Sequence, residues 1–121
     1  MSEFEQLRAK IDQFAKDRDW DKFHSPKNLS MALSVEVAEL LEQFQWLSEE
    51  ESAGLTPEQQ RAVSGEIADI QIYLIRLADK LGIDVVAAVE DKLIRNAEKY
   101  PADKVRGSAR KYSDYPGGDK R

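Results

Sequence analysis

Two acidic pairs carry the strongest chemical signal in the sequence: Glu36-Val-Ala-Glu39 and Glu66-Ile-Ala-Asp69, each with its carboxylates three residues apart inside an otherwise apolar stretch. On a helix that spacing puts both side chains on one face. If the two helices are neighbours and the pairs meet, four carboxylates converge, and their mutual repulsion is costly unless a cation sits among them. An all-oxygen ligand set suits a hard divalent ion, Mg²⁺ with Mn²⁺ as the alternative, and few protein ligands leave positions for water and phosphate. A phosphate ester is then the matching substrate class. A di-iron bundle would normally need Glu-x-x-His pairs, whereas the single histidine, His24, lies in a connector. The competing interpretation is a solvated acidic face, which is what most isolated Glu-x-x-Glu pairs form; two pairs on successive core helices favour the metal.

Three further groups bear on a substrate. Lys92 and Asn96 are four residues apart, so one helical face can offer an ammonium and an amide to phosphate oxygens, with Tyr100 about one turn on. From spacing alone a solvated lysine and an exposed amide are the simpler reading. Trp20 and Trp46 flank the second helical segment, where aromatic residues are more often core packing than ligand contacts. His24, beside Ser25-Pro26, suits either a substrate contact or a hydrogen bond within the connector.

The elements that must position these groups are all helical. Ser2 with Glu5 has capping-box spacing, and Phe4, Leu7, Ile11 and Phe14 predict an amphipathic helix over residues 3 to about 18. Asp19 to Ser25 breaks the period as a connector, and Ser25-Pro26 starts a second helix whose apolar positions Leu29, Ala32, Leu33, Val37, Leu40, Leu41 and Phe44 carry it to Trp46. Residues 48 to 55, with the run Glu49-Glu50-Glu51, read as a solvated loop. Thr56-Pro57-Glu58-Gln59 then opens a third helix, with Val63, Ile67, Ile70, Leu74, Leu77 and Ala78 inward, ending at Gly82 in a left-handed conformation. Asp84 caps a fourth, with Val85, Val86, Val89, Leu93 and Ile94 as its stripe, and Pro101 forbids clean continuation. No repeat, heptad array or strand signal interrupts this pattern, so an all-α, four-helix-bundle-like fold is expected, with residues 1–112 as one domain and 113–121 as a flexible tail.

Composition narrows the function classes. A chain of 121 residues with 41% hydrophobic and 34% charged residues is long and apolar enough to fold around one core. No apolar run approaches the ~20 residues of a membrane span, no export signal opens the chain, and no cysteine provides a thiolate or disulfide, so no membrane partner is expected and the cytoplasm is the expected location. A net charge of −5 argues against a nucleic-acid partner, which needs a Lys/Arg surface. An acidic protein can still bind a phosphate-rich small molecule through bridging divalent cations.

Arg18-Asp19-Trp20, Phe23-His24, Asn28-Leu29, Glu36-Val37-Ala38-Glu39-Leu40, Phe44-Gln45-Trp46, Glu66-Ile67-Ala68-Asp69 with Ile72-Tyr73-Leu74, Lys92, Asn96, Tyr100-Pro101-Ala102 and Arg110-Lys111-Tyr112 carry a further signal. Through these residues the chain resembles the MazG-like all-α NTP pyrophosphohydrolases, with the tryptophan and Tyr-Pro-Ala elements closest to their dCTP pyrophosphatase branch. The resemblance implies that Glu36, Glu39, Glu66 and Asp69 hold Mg²⁺ and do the catalysis while water attacks the α-phosphorus. It implies phosphate contacts from Lys92, Asn96 and Tyr100, and a base pocket enclosed by Trp46 and Trp20 with His24. It also implies a homotetramer, a dimer of dimers with pockets near subunit contacts. One position departs from the animal members, which place a histidine on their first helix where Ile11 stands, so base selectivity could differ.

The leading expectation is therefore a Mg²⁺-dependent house-cleaning enzyme that cleaves dCTP or related dNTPs to the monophosphate and pyrophosphate. The alternatives are a broad-specificity hydrolase of non-canonical NTPs and, from another class, a non-catalytic helical assembly module.

Overall fold

A computed structural model describes residues 1–111 and Ser113, and among them every regular element is a helix. These residues form two compact units, Met1–Ile83 and the segment from Asp84 onward. The expected flexible tail, apart from Ser113, lies outside the described residues, as does Tyr112.

The first unit holds α1 (Glu3–Asp17), a 3-10 turn (Asp21–Phe23), α2 (Pro26–Glu42), α3 (Glu49–Ala53) and α4 (Pro57–Lys80). Helix α4, at 24 residues, is the common partner, packing against both α2 and α1. Its start is fixed by a reciprocal cap: Thr56 Oγ1 accepts from Gln59 N at 3.2 Å, and Gln59 Oε1 accepts from Thr56 N at 2.9 Å. That arrangement satisfies two backbone donors that would otherwise have no partner. Ser25 caps α2 by accepting from Asn28 N, with Pro26 in the first turn. At α1 only half of the predicted capping box forms: Ser2 Oγ accepts from Glu5 N, while the Glu5 carboxylate turns to Arg8 at 3.0 Å.

Two helices end in the same way. After α4, Ile83 N donates to Ala78 O and Gly82 N to Asp79 O, with Gly82 at φ 67°, the double hydrogen bond of a Schellman motif. After α1, Trp20 N donates to Ala15 O and Asp19 N to Lys16 O, with Asp19 at φ 54° in the left-handed position that glycine usually fills. This turn folds Trp20 back on its own helix, so that its ring meets Phe14 edge-on, centroids 5.9 Å apart.

Two boundaries differ from the sequence reading. Helix α2 ends at Glu42 rather than Trp46, and Gln43 to Leu47 follow in tight turns, with Phe44 N and Gln45 N both donating to Leu41 O. Residues 49–53 are helical rather than loop, because Ser48 and Glu51 make the same reciprocal cap as Thr56 and Gln59. The core of the unit is small: Ala15, Leu29, Val63, Ile75 and Ala78 are its buried apolar residues among those described, with Leu29 at 1% exposure. The second unit comprises α5 (Val85–Lys99), capped by Asp84 Oδ1 accepting from Ala87 N, and the short α6 (Ala102–Val105).

Candidate metal centre and adjoining cavity

The packing of α2 on α4 brings Glu36, Glu39 and Glu66 together: each offers one carboxylate oxygen, and these lie within 4.8 Å of one another. Two oxygens of the cluster, Glu36 Oε2 and Glu66 Oε2, are shut off from solvent and have no hydrogen-bond partner. Buried carboxylate oxygens without donors are uncommon and costly. The electrostatics reflect that cost. Burial first, then the Glu39 carboxylate and those of Glu66 and Asp69, push the Glu36 carboxyl up to about 7. The Glu66 carboxyl is also raised, with burial again the largest cause. Either a proton or a cation has to offset this concentration of negative charge, and oxygens already directed at a common point fit a divalent cation.

Asp69 stands one helical turn beyond Glu66 on α4. It is exposed and outside the tight triad, yet its charge raises both Glu36 and Glu66. Its second neighbour is a cavity of about 230 Å³. Helix α1 lines that cavity with Ile11 and Phe14, the connector with Trp20 and His24, and α4 with Asp69, Tyr73 and Arg76. Trp20 is placed there by the Schellman turn, and His24 by the 3-10 turn, whose Asp21 carbonyl accepts from His24 N at 3.1 Å. Asp69, Tyr73 and Arg76 fall at successive turns of one face of α4, which is why a single helix contributes to both the acidic cluster and the cavity.

The remaining sequence-predicted residues lie elsewhere. Trp46 is in the turn after α2, 87% exposed and outside the cavity lining. In the second unit Lys92 is exposed and Asn96 half-buried on α5, and Tyr100 closes that helix, its N–H donating to Asn96 O at 2.8 Å.

Sequence reasoning did not anticipate Arg76. It is the buried charged residue of the described chain, 2% exposed, with Nη1 donating to Asp12 and Nη2 to Asp21, each at 2.5 Å, and Nε donating to His24 Nδ1 at 3.1 Å. Lys16 also pairs with Asp12, Lys80 with Asp21, and Arg8 with Asp79, so charges alternate in sign across α1, the 3-10 turn and α4. The signal was present as an arginine interrupting the apolar run Ile-Tyr-Leu-Ile-Arg-Leu-Ala of residues 72–78, at helical spacing from Asp69 and Tyr73.

The model of the MazG-like family matches residues 31–115. The human and bovine dCTP pyrophosphatase 1 proteins are 41% and 43% identical to the chain over 116 residues, which is 94% of it and 68% and 69% of theirs. The crystal structure of a pyrophosphatase from Archaeoglobus fulgidus superposes with a TM-score of 0.79 at 41% identity, covering 84% of this chain and 94% of that one.

Proposed function

Because the chain belongs to the MazG-like family, we propose that it is a nucleoside triphosphate pyrophosphohydrolase that cleaves dCTP or related dNTPs to the monophosphate and pyrophosphate, clearing the cytoplasmic nucleotide pool. The observation that carries this reading is the Glu36–Glu39–Glu66 cluster, with two donorless buried oxygens, linked through Asp69 to a cavity walled by aromatic residues. Glu36, Glu39 and Glu66, joined by Asp69, are the residues that would hold Mg²⁺, with Mn²⁺ as the substitute. When bound, such a cation neutralises triphosphate charge and makes water more acidic.

The chain's own groups do the rest. A carboxylate of the cluster accepts the proton of the attacking water. The water oxygen bonds to the α-phosphorus as the bond to the bridging oxygen breaks, and pyrophosphate leaves. Lys92, Asn96 and Tyr100 of the second unit are proposed to hold phosphate oxygens, an ammonium and an amide at one-turn spacing being suited to that role. Trp20, at the cavity wall beside Phe14, is proposed to cover the base together with His24. Trp46 is proposed to reach a base in the assembled oligomer, since it lies outside the cavity of its own chain.

A homotetramer, a dimer of dimers, is part of the same proposal. Apolar side chains at helical spacing stay open on both units: Val37 and Leu41 on α2, Val89 and Leu93 on α5. Faces of that kind call for a partner surface.

The test is a panel of canonical and modified dNTPs with Mg²⁺ and analysis of products. Pyrophosphate and dCMP from dCTP are expected; no pyrophosphate from any nucleotide, with folded and metal-loaded protein, overturns the enzymatic reading. A diphosphate plus orthophosphate contradicts attack at the α-phosphorus. Ile11, an aliphatic side chain in the cavity wall with no hydrogen bond to offer, favours a second reading, broad specificity; equal kcat/KM across bases would select it. Glu39→Ala and Asp69→Ala separate both from an assembly module, in which neither change would alter nucleotide turnover.

A further inference from the structure

A guanidinium at 2% exposure must have all of its charge answered, and the groups around Arg76 come from three elements: Asp12 on α1, Asp21 and His24 on the connector, Asp79 on α4 at 3.7 Å. Asp12 and Asp21 accept from the two terminal nitrogens, and the third nitrogen donates its one hydrogen, Nε–H, to His24 Nδ1. Arginine has five N–H donors, no acceptor, and does not lose its proton in a protein. The Nδ1 of His24 must therefore be the acceptor, with a free lone pair. A ring that accepts at Nδ1 cannot be the imidazolium, and in the neutral ring the proton must be on Nε2. His24 lines the cavity beside Trp20 and Tyr73, and the nitrogen left to meet a ligand is Nε2, which has no partner among the described residues.

We infer that Arg76 is a positioning residue that fixes His24 as the Nε2–H tautomer, and so gives the cavity a hydrogen-bond donor that selects nucleobases presenting an acceptor there, a carbonyl oxygen or an unprotonated ring nitrogen. The inference rests on the reading of this cavity as the base pocket. It agrees with the direction of the histidine's basicity: burial first, then the Arg76 and Lys80 charges, hold it below the ordinary value, outweighing Asp21. An aliphatic wall at Ile11 and aromatic rings make up the rest of the surface, so one fixed donor among apolar contacts sets orientation. A base with an N–H at the same place would set donor against donor and leave both unpaired.

The chain has a single histidine, so its ring nitrogens are unambiguous in a ¹⁵N-edited NMR spectrum. The unsubstituted protein at pH 7 is expected to show the Nε2–H tautomer alone, and the α,β-imido analogue of dCTP with Mg²⁺ is expected to shift that proton downfield. Arg76→Lys keeps the charge, but its ammonium is claimed by the two aspartates; the ring should then populate both tautomers, and KM for dCTP should rise by about tenfold with kcat nearly unchanged. His24→Leu should give the same rise and cancel any further effect of Arg76→Lys, while His24→Gln, whose amide N–H sits where Nε2–H was, should restore most of the affinity. An Nδ1–H or doubly protonated ring at pH 7 overturns the inference. So does an unmoved His24 signal when calorimetry shows the analogue binding, an outcome that leaves the pyrophosphohydrolase reading intact. Absence of analogue binding to folded protein overturns both.

Discussion

At the scale of single residues the acidic cluster sets stability against activity. Glu66→Gln removes one charge and supplies an amide donor where Glu66 Oε2 now has none. Without added cations the variant should melt higher than the original protein, because repulsion among Glu36, Glu39 and Glu66 is relieved. With Mg²⁺ its dCTP turnover should fall by roughly 100-fold or more. Calorimetry with and without Mg²⁺ plus a pyrophosphate assay checks both halves; a variant that melts lower in EDTA would show that the cluster is not frustrated. The two aspartates around Arg76 set the acid limit. The Asp12 carboxyl, held mainly by Lys16 and then Arg76, and the Asp21 carboxyl, held mainly by Lys80, both lie below their ordinary 3.8. Their stabilisation is complete above that value and is lost as pH falls through the lower folded values. His24 titrates below its ordinary 6.5, so the unfolded chain takes up that proton first and stability declines as pH drops under 6.5. Urea melts from pH 8 to 3 should show both declines. In Arg76→Leu, stability at pH 7 should be lower by about 1–3 kcal/mol, the scale of charged hydrogen bonds lost rather than of a fully buried pair broken, because Asp12 and Asp21 are partly exposed and keep Lys16 and Lys80.

At the scale of elements, the Schellman turn after α1 makes a sharp prediction. Asp19 holds φ 54° without glycine's freedom, so Asp19→Gly should raise stability by about 0.5–1 kcal/mol and Asp19→Val should lower it by more than that. Chemical denaturation measures both, and a destabilised glycine variant would mean that the exposed Asp19–Lys22 pair matters more than the backbone. The elements also show what a linear sequence discloses. The caps Ser25, Thr56 and Asp84 and the turn residue Gly82 were readable because each is a local contact between near neighbours in sequence. The cap at Ser48 used the same signal, but three consecutive glutamates read as solvated loop masked it. The end of α2 at Glu42 had no such marker, since Gln43, Phe44 and Gln45 include neither glycine nor proline. The two acidic pairs were legible from spacing, and three of their four carboxylates, Glu36, Glu39 and Glu66, do meet, while Asp69 stands outside that triad. Arg76 was not, because its partners Asp12, Asp21 and His24 are 52 to 64 residues away in sequence, and only the fold brings them together.

At the scale of the whole molecule, apolar stripes were readable but not what would cover them. Val37, Leu41, Ile67, Val89 and Leu93 follow the helical period as core positions do, yet all stay exposed, Leu41 at 61%. Periodicity identifies an apolar face and leaves its partner open. Light scattering should therefore find four chains per particle, and Leu41→Lys with Leu93→Lys should lower that number while circular dichroism keeps its helical signal; a monomeric original protein rejects the assembly. A second consequence follows from the donorless oxygens of Glu36 and Glu66. Because the unfolded chain has no such cluster, a cation at 100 times its dissociation constant would add about 2.7 kcal/mol to folding, a sizeable part of the ~5–15 kcal/mol that a domain this size has. The same ion would then govern the lifetime of the protein as well as its turnover: in a magnesium-starved cell the chain would unfold more often, fall to proteases sooner, and be thinned out along with the metal it needs.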